Sequence, residues 1–339
     1  MEIIDHNKIK TIGIIGWGLM GDVLMRTPVI HAIRDVFPHA KIVVSTDPVG
    51  EEVLRYNTDI DRIFTIDRKK RPKLNYLFNK LKAWKDLRFE QLDIIIDLYN
   101  GKSSNTMMRL SGAKYKITFR DILVEPRKNN FHISNELLDI VSLFSNNYQN
   151  YGTKPIFTTR SITNEKMKKY VDTLKQEKTY LLNFGSGGLE KILPMEKSFE
   201  QVKFLYLKYG FTPLIICNPG QEHFQKTFIE KYLIPCNIPY HALPILSLEE
   251  IGAIMRCNDF IITPDTGLYH IAVATDIPIL GIFTYTDPRL VEPENGIYIH
   301  CFQSEQDIDS AGLRFGNKDL DLEYLLERTK IFMELFNKS

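Results

Sequence analysis

At 339 residues, 44% hydrophobic and 25% charged, the chain has the size of about two ordinary domains and can bury cores without metal or disulfide staples, which excludes an intrinsically disordered chain. No apolar run approaches the ~18 residues needed to span a bilayer, so it does not read as an integral membrane protein. The net charge of +1 divides unevenly, +7 over residues 1–160 and −6 over the rest, so the two halves differ chemically.

The opening segment, MEIIDHNKIKTIGIIG, lacks the charged, apolar and small-residue order of a secretory signal, and the expected location is the cytosol. Short β-rich apolar runs then alternate with helix-period segments, the pattern of parallel sheets covered by helices. In the first half the expected strands are Thr11–Gly16, Ile42–Thr46, Ile63–Ile66, Ile94–Leu98 and Ile117–Phe119. Between the third and fourth of these strands the positive excess gathers at Arg68, Lys69, Lys70, Arg71, Lys73, Lys80, Lys82, Lys85 and Arg88, opposed within that stretch by Asp86 alone. A run of this kind reads either as a solvated helix face or as a surface for a polyanionic acceptor or anionic lipid headgroups. It carries no nucleic-acid-binding motif, and nucleic acid is not expected as a partner. The polar stretch Ser145–Ser161, with Gly152 and Pro155, reads as a linker. In the second half the expected strands are Tyr180–Phe184, Leu214–Cys217, Phe260–Thr263 and Ile279–Phe283, and Leu320–Phe336 has helical apolar spacing. Cys217, Cys236, Cys257 and Cys301 lie far apart with no C-x-x-C pair, which argues for thiols in a reducing compartment rather than a zinc site or a disulfide framework.

Ligands of such sheets bind at the carboxyl ends of the strands, so the strand-to-helix loops carry the candidate chemistry. The first loop, Gly16-Trp17-Gly18-Leu19-Met20-Gly21-Asp22, matches G-x-G-x-x-G, and Asp47 near the end of the second strand would complete a dinucleotide fingerprint. Asp22 disfavours that reading, since its carboxylate would face the pyrophosphate such a loop cradles. Asp22 suits either of two other roles, a helix cap or the acceptor of a proton from a hydroxyl. In the loop Pro264–His270, Asp265 and Thr266 are good N-cap types and Gly267 permits close approach to the backbone, so free N–H groups and the helix dipole make an anion site. The glycine-rich loop Asn183–Lys191 sets Lys191 where it either reaches a phosphate or is simply solvated. After Cys217, Glu222 either accepts bonds from ribose hydroxyls or favours the start of the next helix.

Taken in this order, the loops resemble glycosyltransferase family 9, the heptosyltransferases of lipopolysaccharide core assembly. The resemblance is carried by GLMGDVLMRTPVIHAIRDVFPHAKI, by DIIIDLYNGKSSNTMMRLSGAKYKI and above all by LSLEEIGAIMRCNDFIITPDTGLYHIAVATDIPILGIFTYTDP. It implies an α/β chain of the GT-B fold, two Rossmann-like α/β/α domains facing a central cleft. The acceptor-binding domain would be 1–155 and the nucleotide-sugar-binding domain 162–318, with a C-terminal helix, 319–339, packing back on the first domain. It further implies Asp22 as the catalytic base and Asp265, Thr266, Gly267, Leu268 and His270 at the diphosphate-binding turn. Lys191 would contact donor phosphate, Ser186 and Gly187 would lie beside it, Glu222 would meet the ribose and Leu246 the adenine.

Two departures stand out. Lys191-Ile192-Leu193-Pro194 replaces the family's usual Lys-x-Trp-Pro, and Arg26 replaces a small or apolar residue. The implied activity is inverting transfer of heptose from ADP-heptose to a lipopolysaccharide inner-core acceptor at the cytoplasmic membrane face, with Lys102, Arg109 and Arg120 as acceptor contacts. No cofactor and no metal are expected. The Asp-x-Asp pairs Asp59/Asp61, Asp307/Asp309 and Asp319/Asp321 read as turn or helix-start acids. The rival readings are a related transferase with another sugar or a protein acceptor, a nucleotide-sugar epimerase, and a dinucleotide-dependent oxidoreductase.

Overall fold

The structure is a computed structural model. It describes residues 8–67, 73–118, 132–174, 178–185, 191–308, 314–316 and 319–338. The chain divides into two compact units, Met1–Thr158 and Thr159–Ser339.

The first unit runs β1 (Thr11–Ile15), α1 (Met20–Leu24), α2 (Thr27–Val36), β2 (Lys41–Thr46), α3 (Pro48–Leu54), β3 (Arg62–Thr65), α4 (Lys73–Phe89), β4 (Ile94–Asp97), α5 (Lys102–Leu110), β5 (Tyr115–Thr118) and α6 (Ile133–Leu138). Its five strands pair in the order β3-β2-β1-β4-β5, all parallel. Strands β1, β2 and β4 read as continuous apolar runs because helices cover both faces, and Ile12, Ile14, Ile42, Val44, Ile94 and Ile96 are wholly buried. Helix α2 carries Pro28 in its first turn, where a fixed φ is well placed, and turns Val29, Ile30 and Ile33 inward. The expected strand end at Phe119 lies outside the described residues.

The second unit runs α7 (Ser161–Leu174), β6 (Lys178–Leu182), α8 (Met195–Tyr209), β7 (Phe211–Cys217), α9 (Glu222–Phe228), β8 (His241–Ile245), α10 (Leu248–Met255), β9 (Ile261–Pro264), α11 (Gly267–Thr275), β10 (Ile279–Ile282), β11 (Tyr298–Cys301), β12 (Ser304–Ile308), β13 (Arg314–Gly316) and α12 (Leu322–Phe336). Six strands form a second parallel sheet, β11-β10-β9-β6-β7-β8, and β12 and β13 pair antiparallel as a separate two-stranded sheet. Strands β8 and β11 were not expected. Strand β8, HALPI, holds a proline and buries only Leu243 of its five residues, which an edge strand tolerates. Helix α8 ends at Gly210, whose φ of 75° is the left-handed cap that lets its N–H reach Leu205 and Tyr206.

The buried face of α12 belongs to the second unit's core. Leu325, Phe332 and Met333 are fully buried among Tyr180, Phe211 and Phe260, with Tyr180 stacked on Phe260 at 4.8 Å. Burial of each such side chain contributes about 1.5–3 kcal/mol and holds the helix on that core. A buried bond from Gln201 Nε2 to Thr329 Oγ1, 2.8 Å, joins α8 to α12.

At the start of the second unit, Arg160 grips Glu249 in the first turn of α10 through its backbone N–H at 3.0 Å, Nε at 2.9 Å and Nη2 at 2.9 Å. Those bonds hold the Glu249 carboxyl at about 2, against an ordinary 4.5. The folded state therefore binds that proton less readily than the unfolded chain, so this contribution is present above pH 4.5 and is lost as pH falls toward 2. We expect Glu249→Gln to cost about 1 kcal/mol at neutral pH. The difference from wild type in urea denaturation should shrink across that acidic window; an unchanged gap at acid pH would contradict the pairing.

Candidate active site in the two sheet edges

Each sheet reverses its strand order at one point, between β1 and β4 in the first unit and between β6 and β9 in the second. Crossovers diverge there, leaving a crevice at the carboxyl edge. The candidate residues gather at those two points.

In the first unit the loop after β1 is fastened from below. Gly16 N donates to Ser45 O at 2.9 Å, and Thr46 Oγ1 donates to Gly16 O at 3.1 Å. Trp17, 1% exposed, donates from Nε1 to Ser45 Oγ at 3.0 Å and leans on Tyr99 with ring centres 5.7 Å apart. Gly18 N donates to Asp47 Oδ2 at 2.8 Å, and Leu19 N donates to Asp22 Oδ2 at 2.9 Å. Asp22 therefore caps the first turn of α1 through one oxygen, while its side chain stays exposed. Capping and chemistry are compatible, because the bond fixes the carboxylate and leaves Oδ1 without a hydrogen-bond partner among the described residues.

The same loop disfavours a dinucleotide. A Cβ on Gly18 would meet Asp22 Cβ at 2.7 Å, Asp22 Oδ2 at 2.8 Å and Arg26 Nη1 at 3.0 Å. The space that a dinucleotide loop keeps open for pyrophosphate at its second glycine is filled here by a carboxylate and a guanidinium. Asp47, expected on a ribose in that reading, is buried and bonded to Gly18.

Arg26 was noted in the sequence only as a departure; it is buried, and its Nη1 donates to the Trp17 carbonyl. Burial lowers its pKa, against the opposing charges of Asp22, Asp97 and Asp47. Asp97, missed by sequence reasoning, closes β4 with no exposed surface. Its Oδ1 accepts from Tyr99 N at 3.0 Å and Asn100 N at 3.1 Å, which holds Asn100 at a φ of 53°. Lys102 opens α5 at this edge and is exposed, whereas Arg109 is seven residues along the helix, about 10 Å away at 1.5 Å per residue. Arg120 lies outside the described residues.

In the second unit Asn183, 1% exposed, ties three strand ends together. Its Nδ2 donates to Thr263 Oγ1 at 2.9 Å, and its Oδ1 accepts from Asn218 Nδ2 at 2.8 Å and Gly185 N at 3.2 Å. A polar residue closing an apolar strand was the only sequence signal for this hub. Gly185 has no room for a side chain: a Cβ would lie 2.3 Å from both Asn218 Nδ2 and Gln221 Oε1.

Beyond the hub, Lys191 Nζ pairs with Asp265 Oδ2 at 2.6 Å and also reaches the Asp265 carbonyl at 3.2 Å. Burial would raise the Asp265 pKa; Lys191, the Thr286 hydroxyl and His270 outweigh it, and the carboxyl is held low and ionised. Thr266 is the extended N-cap of α11 without a side-chain cap, so the amides of Gly267 and Leu268 take no hydrogen bond among the described residues. The side chains of Leu268 and His270 are buried, so Leu268 presents its amide rather than its side chain. Glu222 is exposed at the start of α9, its Oε1 accepting from Gly220 N at 3.3 Å, and Leu246 is half-buried after β8. Ser186 and Gly187 lie outside the described residues.

Among the described residues no group of three or more His, Cys, Asp or Glu side chains could hold a metal. The acid pairs have structural partners instead: Asp59 holds His31, Asp61 holds Arg34, and Asp319 holds Lys197. Asp309 lies outside the described residues.

Behind the α11 turn, His300 Nε2 bonds to Tyr269 Oη at 2.8 Å. Burial, helped by Arg328, pulls His300 down to about 4 from 6.5. The unfolded chain takes up that proton first, so stability is full above pH 6.5 and falls toward pH 4. We expect wild type to lose about 2–3 kcal/mol more than His300→Gln over this interval. Urea denaturation at the two ends measures it, and parallel losses would refute the assignment.

A family model described as glycosyltransferase family 9 (heptosyltransferase) matches residues 80–311. The lipopolysaccharide core heptosyltransferase OpsX of Haemophilus influenzae is 21% identical over 299 residues, covering 85% of this chain and 83% of that protein. Among solved structures, a family 9 glycosyl transferase from Veillonella parvula is similar with a TM-score of 0.79 at 18% identity, over 100% of this chain and 99% of that one. The Escherichia coli ADP-heptose LPS heptosyltransferase II follows with a TM-score of 0.74 at 15% identity, over 97% of this chain and 100% of that one. At these identities the structures carry the fold, two Rossmann-like α/β domains of the GT-B class. With its family model matched over more than half its length, the chain belongs to glycosyltransferase family 9, the heptosyltransferases, and is a glycosyltransferase.

Proposed function

We propose that the chain is an inverting, metal-independent heptosyltransferase that moves heptose from ADP-L-glycero-β-D-manno-heptose to a lipopolysaccharide inner-core acceptor at the cytoplasmic membrane face. The observation that carries this reading is the pairing of two chemistries in one family 9 chain. Asp22 is an exposed carboxylate with one oxygen fixed and one left over, and the turn at Thr266 has unbonded first-turn amides beside Lys191. ADP-heptose stands in the name of the E. coli relative.

In this reading the acceptor hydroxyl attacks the anomeric carbon while the bond to the diphosphate oxygen breaks, and the departing electron pair goes to ADP. Asp22 Oδ1 takes the hydroxyl proton, a contribution of about 10²–10⁴ in rate. The amides of Gly267 and Leu268, with the positive end of α11, meet the charge that develops on the diphosphate. Lys191 would leave Asp265 to meet the same charge, its pairing in the free protein keeping the ammonium in place meanwhile. A single displacement of this kind inverts the anomeric carbon. Glu222 would bind the ribose and Leu246 would line the adenine pocket, and Lys102 is the acceptor contact that shares an edge with Asp22.

Asp22→Asn should lower kcat by about 10²–10⁴ and leave ADP affinity within about twofold. Turnover of an inner-core acceptor with ADP-heptose and calorimetry with ADP measure the two, and an undiminished kcat would refute the base. Lys191→Ala should weaken ADP binding about 10- to 100-fold, the worth of one hydrogen bond to a charged group. Thermal denaturation of that variant reports how much follows from unpairing Asp265 instead, and full ADP affinity would sink the phosphate role.

A further inference from the structure

One face of α4 is not accounted for by the transfer reaction. The helix packs inward through Leu87, 1% exposed, and through Trp84, whose Nε1 donates to the Leu110 carbonyl at 2.7 Å. Positions 78, 81, 82, 85 and 88 recur at three- and four-residue spacing and share its outer side. There Phe78 is 69% and Leu81 53% exposed, with Lys82, Lys85 and Arg88 exposed between and beyond them. Among the described residues, none of these three cations is in an ion pair. A solvated helix face would carry polar groups at all five positions. A site for a soluble polyanion needs the cations but has no use for Phe78 and Leu81.

We propose that the outer face of α4 docks on an anionic lipid bilayer. Three cations on one side of a helix complement the negative potential of such a surface, and Phe78 and Leu81 would sink into the boundary between headgroups and acyl chains. The excess of +7 over residues 1–160 adds attraction of the same sign. This deepens the membrane-face part of the proposed function and is independent of its catalytic part, because vesicle binding is read without turnover.

The test is co-sedimentation of the full chain with vesicles of phosphatidylcholine alone or with roughly 30% phosphatidylglycerol. Wild type should bind the anionic vesicles at least about tenfold more tightly than the neutral ones, and should lose that binding as salt rises from about 0.1 M to about 0.5 M. The triple variant Lys82→Glu/Lys85→Glu/Arg88→Glu should bind about 100-fold more weakly. Phe78→Ser/Leu81→Ser, which keeps every charge, should lose about tenfold. Both variants should turn over a water-soluble, deacylated acceptor at the wild-type rate, which also shows that they fold. Equal binding to neutral vesicles, wild-type binding by either variant, or no vesicle binding at all would overturn the proposal. So would a triple variant that loses turnover of the soluble acceptor, since the face would then be a carbohydrate site. Vesicle binding that fails while Asp22→Asn is inactive removes this inference alone; vesicle binding that holds while Asp22→Asn stays active removes only the catalytic reading.

Discussion

A parallel strand can be followed by its parallel neighbour only if the chain crosses back over the sheet, and here it crosses through helices. That constraint gathers the strand-to-helix loops of each unit on one edge and aims the amino ends of the following helices the same way. Most features of the candidate site follow from it. Backbone amides at those helix starts lack internal partners, so each edge must supply side chains to meet them or leave them to a ligand. The first unit does the former, using Asp22 for Leu19 and Asp97 for Tyr99 and Asn100. The second leaves the amides of Gly267 and Leu268 unmet and sets a lysine beside them.

The two edges differ in sign for the same reason. Around β1 and β4 the carboxylates of Asp22, Asp47 and Asp97 surround a single buried guanidinium, Arg26, so the edge tolerates a hydroxyl that must lose a proton better than it tolerates a phosphate. Around β6 and β9 the buried carboxylate of Asp265 is matched by Lys191 and the Thr286 hydroxyl. A diphosphate arriving there would meet one ammonium and a helix dipole rather than uncompensated acid. The proposed division of labour between a base and an anion site follows the local charge balance of each sheet.

Much of the fold was legible because α/β patterning is redundant. Nine strands announced themselves as apolar runs, and the glycines and helix-capping residues after them marked where loops begin. The edge strands β8 and β11 were not visible, since an edge strand buries fewer side chains and β8 carries Pro244. The site was legible where one residue type has few uses, as in Asp22, Lys191 and the Pro264–His270 turn. It was not legible at Asn183 and Trp17, whose side chains bond to Thr263, Asn218 and Ser45, 80, 35 and 28 residues away and brought close by strand pairing. Asp97 could be told from any other strand-end acid only by its burial beside Arg26.

The sequence by itself determined the two α/β series, the loops that carry chemistry and the resemblance to family 9, because hydrophobic period and turn chemistry are local. Tertiary structure decided where each loop side chain sits and what it touches. It turned Asp22 onto Leu19 while leaving one oxygen over, filled the space at Gly18 that a dinucleotide needs, and kept α12 on the second core. It also separated the buried side of α4 from the side where Phe78 and Leu81 stand among lysines. These are questions of which atoms end up within a few ångströms of each other, and distance in space is fixed by packing, not by position along the chain.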